Sequence, residues 1–539
     1  MTTVSRRVFL KSAAAAAVAT NAAGQTVSPA GDQTFDYVIA GAGHNSLITA
    51  AYLAKAGFGV LVLEGRPTIG GGCKSGSVCL PGFTDDWCSS VHGLLMSNPV
   101  IRDNELGLLD NGLEYLQPDP VMHIPFPDGT SLTMWRDPER TYQEYAKFSK
   151  RDADTFMKLI DELKAYRRSR AAGNADSSLW KRREAMSAYD VVKASFEDDH
   201  VRSFHLAVAR FTSEPGGDPY TGRTAYTAIA HQIGGRPIPK GGSGMLTTAL
   251  GRVIEKAGGV ILTGMPVREL LVESGRCKGV VCMDGSRFAA RRGVVSTIHV
   301  KQLVDMAPSE LWGDEFLQNL ELFQPEEGLF AFHMATSAPV EYPLAGGGSI
   351  VPSESTILPY PERVLRSSFD DASGTVNLED MWLQIVAPSV TDPTRAPAGF
   401  HTIKLIGNVP YQPSAGSGSW DEMRDQVADG VITYLQRYAP TFTRDKILAQ
   451  VFMSPIDLER MNPAFWRGSI HAGEYGPSQM GDMRPVPGWA NYRMPIAGLY
   501  QTGACTQPGG SITGWPGRNA AEVVLADAGV QLRDVVART

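Results

Sequence analysis

A glycine turn set between a β-rich apolar run and a helical repeat constrains this chain more than any other feature. Residues 35–40 (FDYVIA) read as a buried parallel strand. Gly41-Ala42-Gly43-His44-Asn45-Ser46 follows, and then Leu47, Ala50, Ala51 and Leu53-Ala54 recur at helical spacing up to a stop at Gly57. Residues 60–63 (VLVL) form the next buried strand, so strand, turn, helix and strand fit one βαβ unit. In such a unit Gly41 permits the tight turn and Gly43 lets a pyrophosphate approach the backbone. The helix that opens at His44, Asn45 and Ser46 supplies unpaired N–H groups and a partial positive charge. Ser46 stands where a third glycine is usual, which loosens the strand–helix approach slightly without touching the phosphate. Glu64 ends the second strand, where an acid accepts the ribose hydroxyls of adenosine.

A second glycine loop follows at once. In Glu64-Gly65-Arg66-Pro67-Thr68-Ile69-Gly70-Gly71-Gly72, Arg66 offers a charge on the phosphate side and Gly70-Gly71 a close-approach backbone. Further on, Gly241-Gly242-Ser243-Gly244 leads into a helix carrying Leu246, Leu250, Val253 and Ile254, which stops at Gly258-Gly259. Short strands are expected at 260–262, 267–272, 279–283 and 294–297, with a hairpin signal at Asp284-Gly285. A final strand over 498–503 and a helix from about Pro516 close the chain. Between these blocks, 142–210 reads as helical, with Phe156, Leu159, Ile160 and Leu163 as one apolar stripe. Two basic clusters, Arg167-Arg168-Ser169-Arg170 and Lys181-Arg182-Arg183, fit a solvated helix end and loop, with an anionic membrane surface as the sharper alternative. The segment 301–490 is richer in proline and aromatics and reads as mixed α+β.

The N-terminus carries its own message. Ser5-Arg6-Arg7-Val8-Phe9-Leu10-Lys11 places paired arginines before an Ala-rich apolar stretch and then small residues, the order of a signal peptide. The arginine pair resembles a twin-arginine signal, which is read by a receptor rather than acting as an anchor. Residues 1–30 are therefore expected to be signal and linker, the twin-arginine export machinery a partner, and the destination the periplasm. That route carries folded proteins, so a cofactor would be loaded in the cytoplasm. Residues 1–23 hold three cations and no acid; without them the formal net charge of −7 becomes −10, which argues against a nucleic-acid binder. No apolar run is long enough to span a membrane. Six cysteines form no CxxC pair, which weakens zinc and thioredoxin readings and leaves no metal site expected.

The segment from Asp36 to Glu64 resembles the start of the phytoene-desaturase-like flavoproteins, relatives of the amine oxidases. The arginine and glycines of 66–71, Pro81-Gly82-Phe83, and Pro239-Lys240-Gly241-Gly242-Ser243-Gly244-Met245 match that family too. Its C-terminal block is matched by Arg484-Pro485-Val486-Pro487-Gly488-Trp489, by Gly503-Ala504-Cys505-Thr506-Gln507-Pro508-Gly509-Gly510 and by Gly514-Trp515-Pro516-Gly517-Arg518. The resemblance implies FAD as cofactor. It implies contacts from Gly503, Ala504, Pro508, Gly509, Gly510 and Gly514, and from Val267, whose backbone would meet the adenine. Proline in a first helical turn behind glycines makes an open helix N-terminus, and in such proteins this end stabilises reduced flavin.

These readings give an α/β chain with a discontinuous Rossmann-like FAD-binding domain over 33–120, 236–300 and 490–530. A mixed α+β substrate domain is expected from 121–235 and 301–489. The expected activity is dehydrogenation of a small organic substrate, with its largely apolar character implied by the resemblance alone. An oxidase returning electrons to oxygen, and a non-redox isomerase or flavin-bearing interaction protein, stand as alternatives. His471, in a glycine-flanked segment, and His231 and His92 are the candidate proton acceptors.

Overall fold

The computed structural model describes residues 33–173 and 177–537. The arginine pair and the rest of the expected signal lie outside the described residues.

The dinucleotide-type sheet is built on β1 (Gln33–Ala40), β2 (Val60–Glu64), β3 (Val260–Thr263), β4 (Val267–Glu273), β5 (Arg276–Cys282), β6 (Arg287–Ser296) and β7 (Leu499–Gln501). Its order is β4-β5-β6-β1-β2-β3, with β7 also paired to β6. β6 is shared: residues 287–289 run antiparallel to β5, and residues 294–296 run parallel to β7. The parallel core is thus β3-β2-β1-β6-β7, drawn from three distant stretches of chain.

Alternation along the strands fills both faces. Tyr37, Ile39, Val60 and Val62 pack under a helical layer made by α1 (His44–Lys55), α2 (Gly244–Lys256) and α3 (Trp515–Asp527). Val38, Leu61, Leu63 and Leu262 face the opposite layer, where Phe288, Trp312 and Phe316 are buried. Burial on both faces explains why β1 and β2 read as continuous apolar runs. α1 and α3 approach closely: a Cβ on Gly517 would stand 2.3 Å from the Asn45 carbonyl oxygen.

A second seven-stranded sheet has the order 447–453, 329–336, 401–408, 383–386, 354–357, 122–125 and 131–134. The helix Trp420–Gln436 covers one face with Val427, Val431 and Leu435. The helices of 138–234 form a separate core, in which the expected stripe of Phe156, Leu159, Ile160 and Leu163 is buried. The two units are tied by Asp86. Its Oδ1 accepts from Ser75 Oγ (2.6 Å) and Ser243 N (2.8 Å), and its Oδ2 lies 3.0 Å from Arg395. Lys404, from the second sheet, donates to the Asp86 carbonyl at 3.3 Å and to Ser90 Oγ at 2.9 Å. Burial raises the Asp86 carboxyl, and the cations Arg395 and Lys404 outweigh that and hold it below its usual range.

Candidate active site

The C-terminal ends of β1 and β2 open into a cavity of about 1720 Å³ whose walls come from both units. Ligand sites commonly measure about 300–1,000 Å³, so there is room for a dinucleotide and a second molecule.

The sheet-side wall is made by Gly41, Gly43, His44, Asn45, Glu64, Gly65, Arg66, Gly71, Gly72 and Val267, joined by Gly503, Ala504, Pro508 and Gly510. Gly41 has φ +100°, and a Cβ there would meet Thr297 at 2.5 Å. Gly43 caps α1, has no atom within 4 Å of where a Cβ would stand, and leaves the helix N-terminus without a side-chain cap or a first-turn acid. Such an end presents N–H groups and positive potential to an anion. The Glu64 carboxylate, 9% exposed, accepts from Ala42 N (2.9 Å) and Arg66 N (2.8 Å). One N–H per oxygen leaves lone pairs for ribose hydroxyls. α3 offers a second uncapped N-terminus behind Gly514 (φ +69°), with Pro516 in its first turn. His44 Nε2 is buried with no hydrogen-bond partner among the described residues, and burial lowers this imidazole to about 4, so it stands neutral at the wall. These features fit FAD: an open glycine cradle, an acid at the ribose position, and a neutral imidazole among the lining residues.

Ser46, Gly70, Gly509 and Gly514 do not line the cavity. Ser46 is fully buried and its hydroxyl donates to the Gly41 carbonyl at 2.7 Å, so it clamps the glycine turn instead of loosening it. Gly70 donates its N–H to the Ala42 carbonyl at 2.8 Å and joins the two glycine loops. Gly509 permits close packing on Tyr475, and Gly514 packs on Leu95 and Asn98.

The three candidate histidines separate by surroundings. His92 is buried away from the cavity wall, between Tyr115 Oη (2.9 Å) and Ser243 Oγ (2.5 Å), and burial lowers it to about 3. It is a packing residue. His231 lines the cavity, but Arg236 Nη1 stands 3.0 Å from its Nε2 and is itself held bidentate by Glu354. Burial, with Arg236 adding to it, drives His231 well below its ordinary value, so a proton would meet a cation there. His471 differs. Its Nδ1 lies 2.7 Å from Glu326 Oε2, and its backbone N–H donates to Oε1 at 2.7 Å. The carboxylate fixes the Nδ1–H tautomer and leaves Nε2 as the basic nitrogen.

The sequence reading missed four groups. Glu326 orients His471. Glu214 and Arg223 pair at 2.6 Å and both line the cavity. Arg484 is a fully buried guanidinium that donates mainly to backbone carbonyls, among them His471, Glu474 and Ala504, with the Met480 sulfur as a longer contact. The first basic cluster is the solvent-exposed end of the helix Lys150–Ala171, as expected, and Arg167 and Arg170 also line the cavity beside Tyr166 and Leu163. Cys505 is buried at the wall, and burial pushes its thiol up to about 11.

Fold and site together are those of a flavoprotein of mixed α/β fold whose cavity is walled by residues of both sheet-bearing units. The chain belongs to the flavin containing amine oxidoreductase family, whose match spans residues 47–525. It is an FAD-dependent oxidoreductase. Among curated relatives it is 28% identical to the mouse pyridine nucleotide-disulfide oxidoreductase domain-containing protein 2, covering 92% of this chain and 94% of that one. It is 26% identical to a component polypeptide of the limonene dehydrogenase of Castellaniella defragrans, over 92% and 95% of the two chains. Identity to the lycopene-forming phytoene desaturase of Pantoea ananas is 25%, over 92% and 99%. Among solved structures an oxidoreductase from Methanosarcina mazei superposes with a TM-score of 0.62 at 18% identity, covering 92% and 99%. Putrescine oxidase bound to putrescine superposes at 0.57 and 13% identity, covering 94% and 100%.

Proposed function

We propose that this chain dehydrogenates a largely apolar organic substrate, with His471 as the proton acceptor, after export by the twin-arginine route to the periplasm. The observation that carries the chemistry is the joint wall of the cavity. Trp180, Phe211, Tyr226, Ala230, Val386 and Ile406 give it an apolar second-domain side, and His471, held by Glu326, lines the same cavity. Relatives named for limonene and phytoene, both hydrocarbons, support an apolar substrate. Bound FAD supplies the hydride acceptor. Loss of a hydride from one carbon and a proton from its neighbour leaves a double bond. His471 Nε2 takes that proton, and Glu326 stabilises the imidazolium that results. The buried walls exclude water from the reacting carbons.

Anaerobic titration of the yellow holoprotein with terpenes and other apolar compounds tests this reading. Bleaching of the flavin by at least one such compound is the expected result, and bleaching only by polar amines or acids would overturn it. Peroxide formed on readmission of air would mark an oxidase. For export, Arg6→Lys with Arg7→Lys should leave the precursor in the cytoplasm, and undiminished periplasmic protein would refute the route.

A further inference from the structure

We propose that Glu214 and Arg223 form a head-group site that selects substrates carrying one uncharged hydroxyl on an apolar skeleton. This rests on the reading above, that the second-domain part of the cavity takes the substrate.

The pair is built into the wall with some effort. The chain turns out of the helix Asp199–Ala209 through Arg210–Thr212, and Ser213 then takes φ +58°, a left-handed conformation that a non-glycine residue adopts at a cost. That turn brings Glu214 to the cavity, where it is 6% exposed. Arg223 Nη2 donates to Glu214 Oε1 at 2.6 Å, and its Nη1 donates to the Tyr220 carbonyl at 3.2 Å. The same guanidinium lies 5.8 Å from the Tyr475 ring, whose edge packs against His471 at 5.3 Å. A continuous run of contacts therefore joins Glu214 to the proton acceptor, and all four groups line the cavity. Burial lifts the Glu214 carboxyl to about 7 against the opposing pull of Arg223, which marks this part of the wall as poorly hydrated.

A buried carboxylate answered by a partly exposed guanidinium is a costly feature in a site that takes hydrocarbon alone. With Glu214 ionised, above about pH 7, the two charges cancel, so neither an ammonium nor a carboxylate gains net attraction: Arg223 repels the first and Glu214 the second. A hydroxyl suits both, because it donates to the carboxylate while accepting from the guanidinium.

Three ligands on one fifteen-carbon skeleton test this: farnesene, farnesol and farnesylamine, each titrated into the oxidised holoprotein and read by the bound-flavin spectrum. Farnesol should bind about tenfold or more tightly than either of the others, the difference a hydrogen bond to a charged group makes. Glu214→Leu should bring farnesol down to the farnesene level. Arg223→Met, which leaves the acid uncompensated, should move the preference to farnesylamine and keeps the test alive if the leucine variant fails to fold. Equal binding of farnesene and farnesol by the wild type, or an undiminished farnesol preference in either variant, overturns the head-group site while leaving the apolar cavity intact. Failure of all three to perturb the flavin overturns both readings.

Discussion

Glu326 holds His471 by two hydrogen bonds, one through the imidazole Nδ1 and one through the backbone N–H, each 2.7 Å long. Side chain and main chain are therefore fixed by the same carboxylate, and Nε2 is the nitrogen left for chemistry. Replacing His471 with Ala should lower the rate of anaerobic flavin bleaching by about 10²–10⁴ with FAD still bound. Glu326→Gln should cost about 10²-fold or more, because an amide can turn its NH2 toward Nδ1 and move the proton to Nε2. A bleaching rate at the wild-type level in folded, yellow His471→Ala would reduce the histidine to a packing role.

Glu64 is expected to hold FAD through the ribose and to hold its own loops as well. The carboxylate accepts the Ala42 and Arg66 N–H groups, so Glu64→Ala is expected to remove a cofactor contact and orphans one buried and one half-buried donor. The dissociation constant for FAD, measured by flavin fluorescence, should rise about 10- to 150-fold. Glu64→Gln should lose less, since its amide oxygen still accepts. Unchanged affinity in Glu64→Ala would remove the residue from the cofactor site.

What could be read from the residues alone was local. The turn at Gly41–Gly43, the acid at Glu64 and the helix start at Pro516 each express a backbone need within a few residues, so composition betrays them. Glu326 and His471 are 145 positions apart, and nothing in either neighbourhood signals the other. The same holds for the 117 positions between Arg210 and Glu327, a buried pair at 2.5 Å that fastens the 210–214 turn beside Glu326. His92 and His231 looked equivalent to His471 in sequence. Only the arrival of Ser243 beside one and Arg236 beside the other distinguishes them. The second sheet was equally hidden, because its neighbours at 354–357 and 122–125 are not adjacent in the chain.

Arg484 is expected to tolerate no substitution. Its guanidinium donates to the carbonyls of His471 (2.9 Å), Ala472 (3.2 Å), Glu474 (3.0 Å) and Ala504 (2.8 Å), joining the 471–474 turn to the C-terminal glycine block. A lysine has three donors on a point charge and cannot reproduce that fan. Arg484→Lys should destabilise the protein by about 3 kcal/mol or more and release FAD at a lower temperature, followed by flavin fluorescence on heating. A wild-type release temperature would show the carbonyls to be satisfied without it.

Glu214 carries a pH signature that separates it from an ordinary surface acid. Desolvation raises its carboxyl from the ordinary 4.5 to about 7 in the folded state, with Arg223 opposing. Between these values the folded protein holds a proton that the unfolded chain has lost. Stability therefore falls as pH rises from about 4.5 to about 7 and is level above that. The full penalty is on the order of 3 kcal/mol at neutral pH. Glu214→Gln removes the titration, so the variant should gain thermal stability relative to wild type as pH rises from 5 to 7.5, while the two converge toward pH 4.5. Paired melting curves in FAD-saturated buffer across that window measure it directly. A gap that is constant with pH, or one that shrinks toward pH 7.5, would show that Arg223 compensates the buried carboxylate fully and that Glu214 titrates as an ordinary acid.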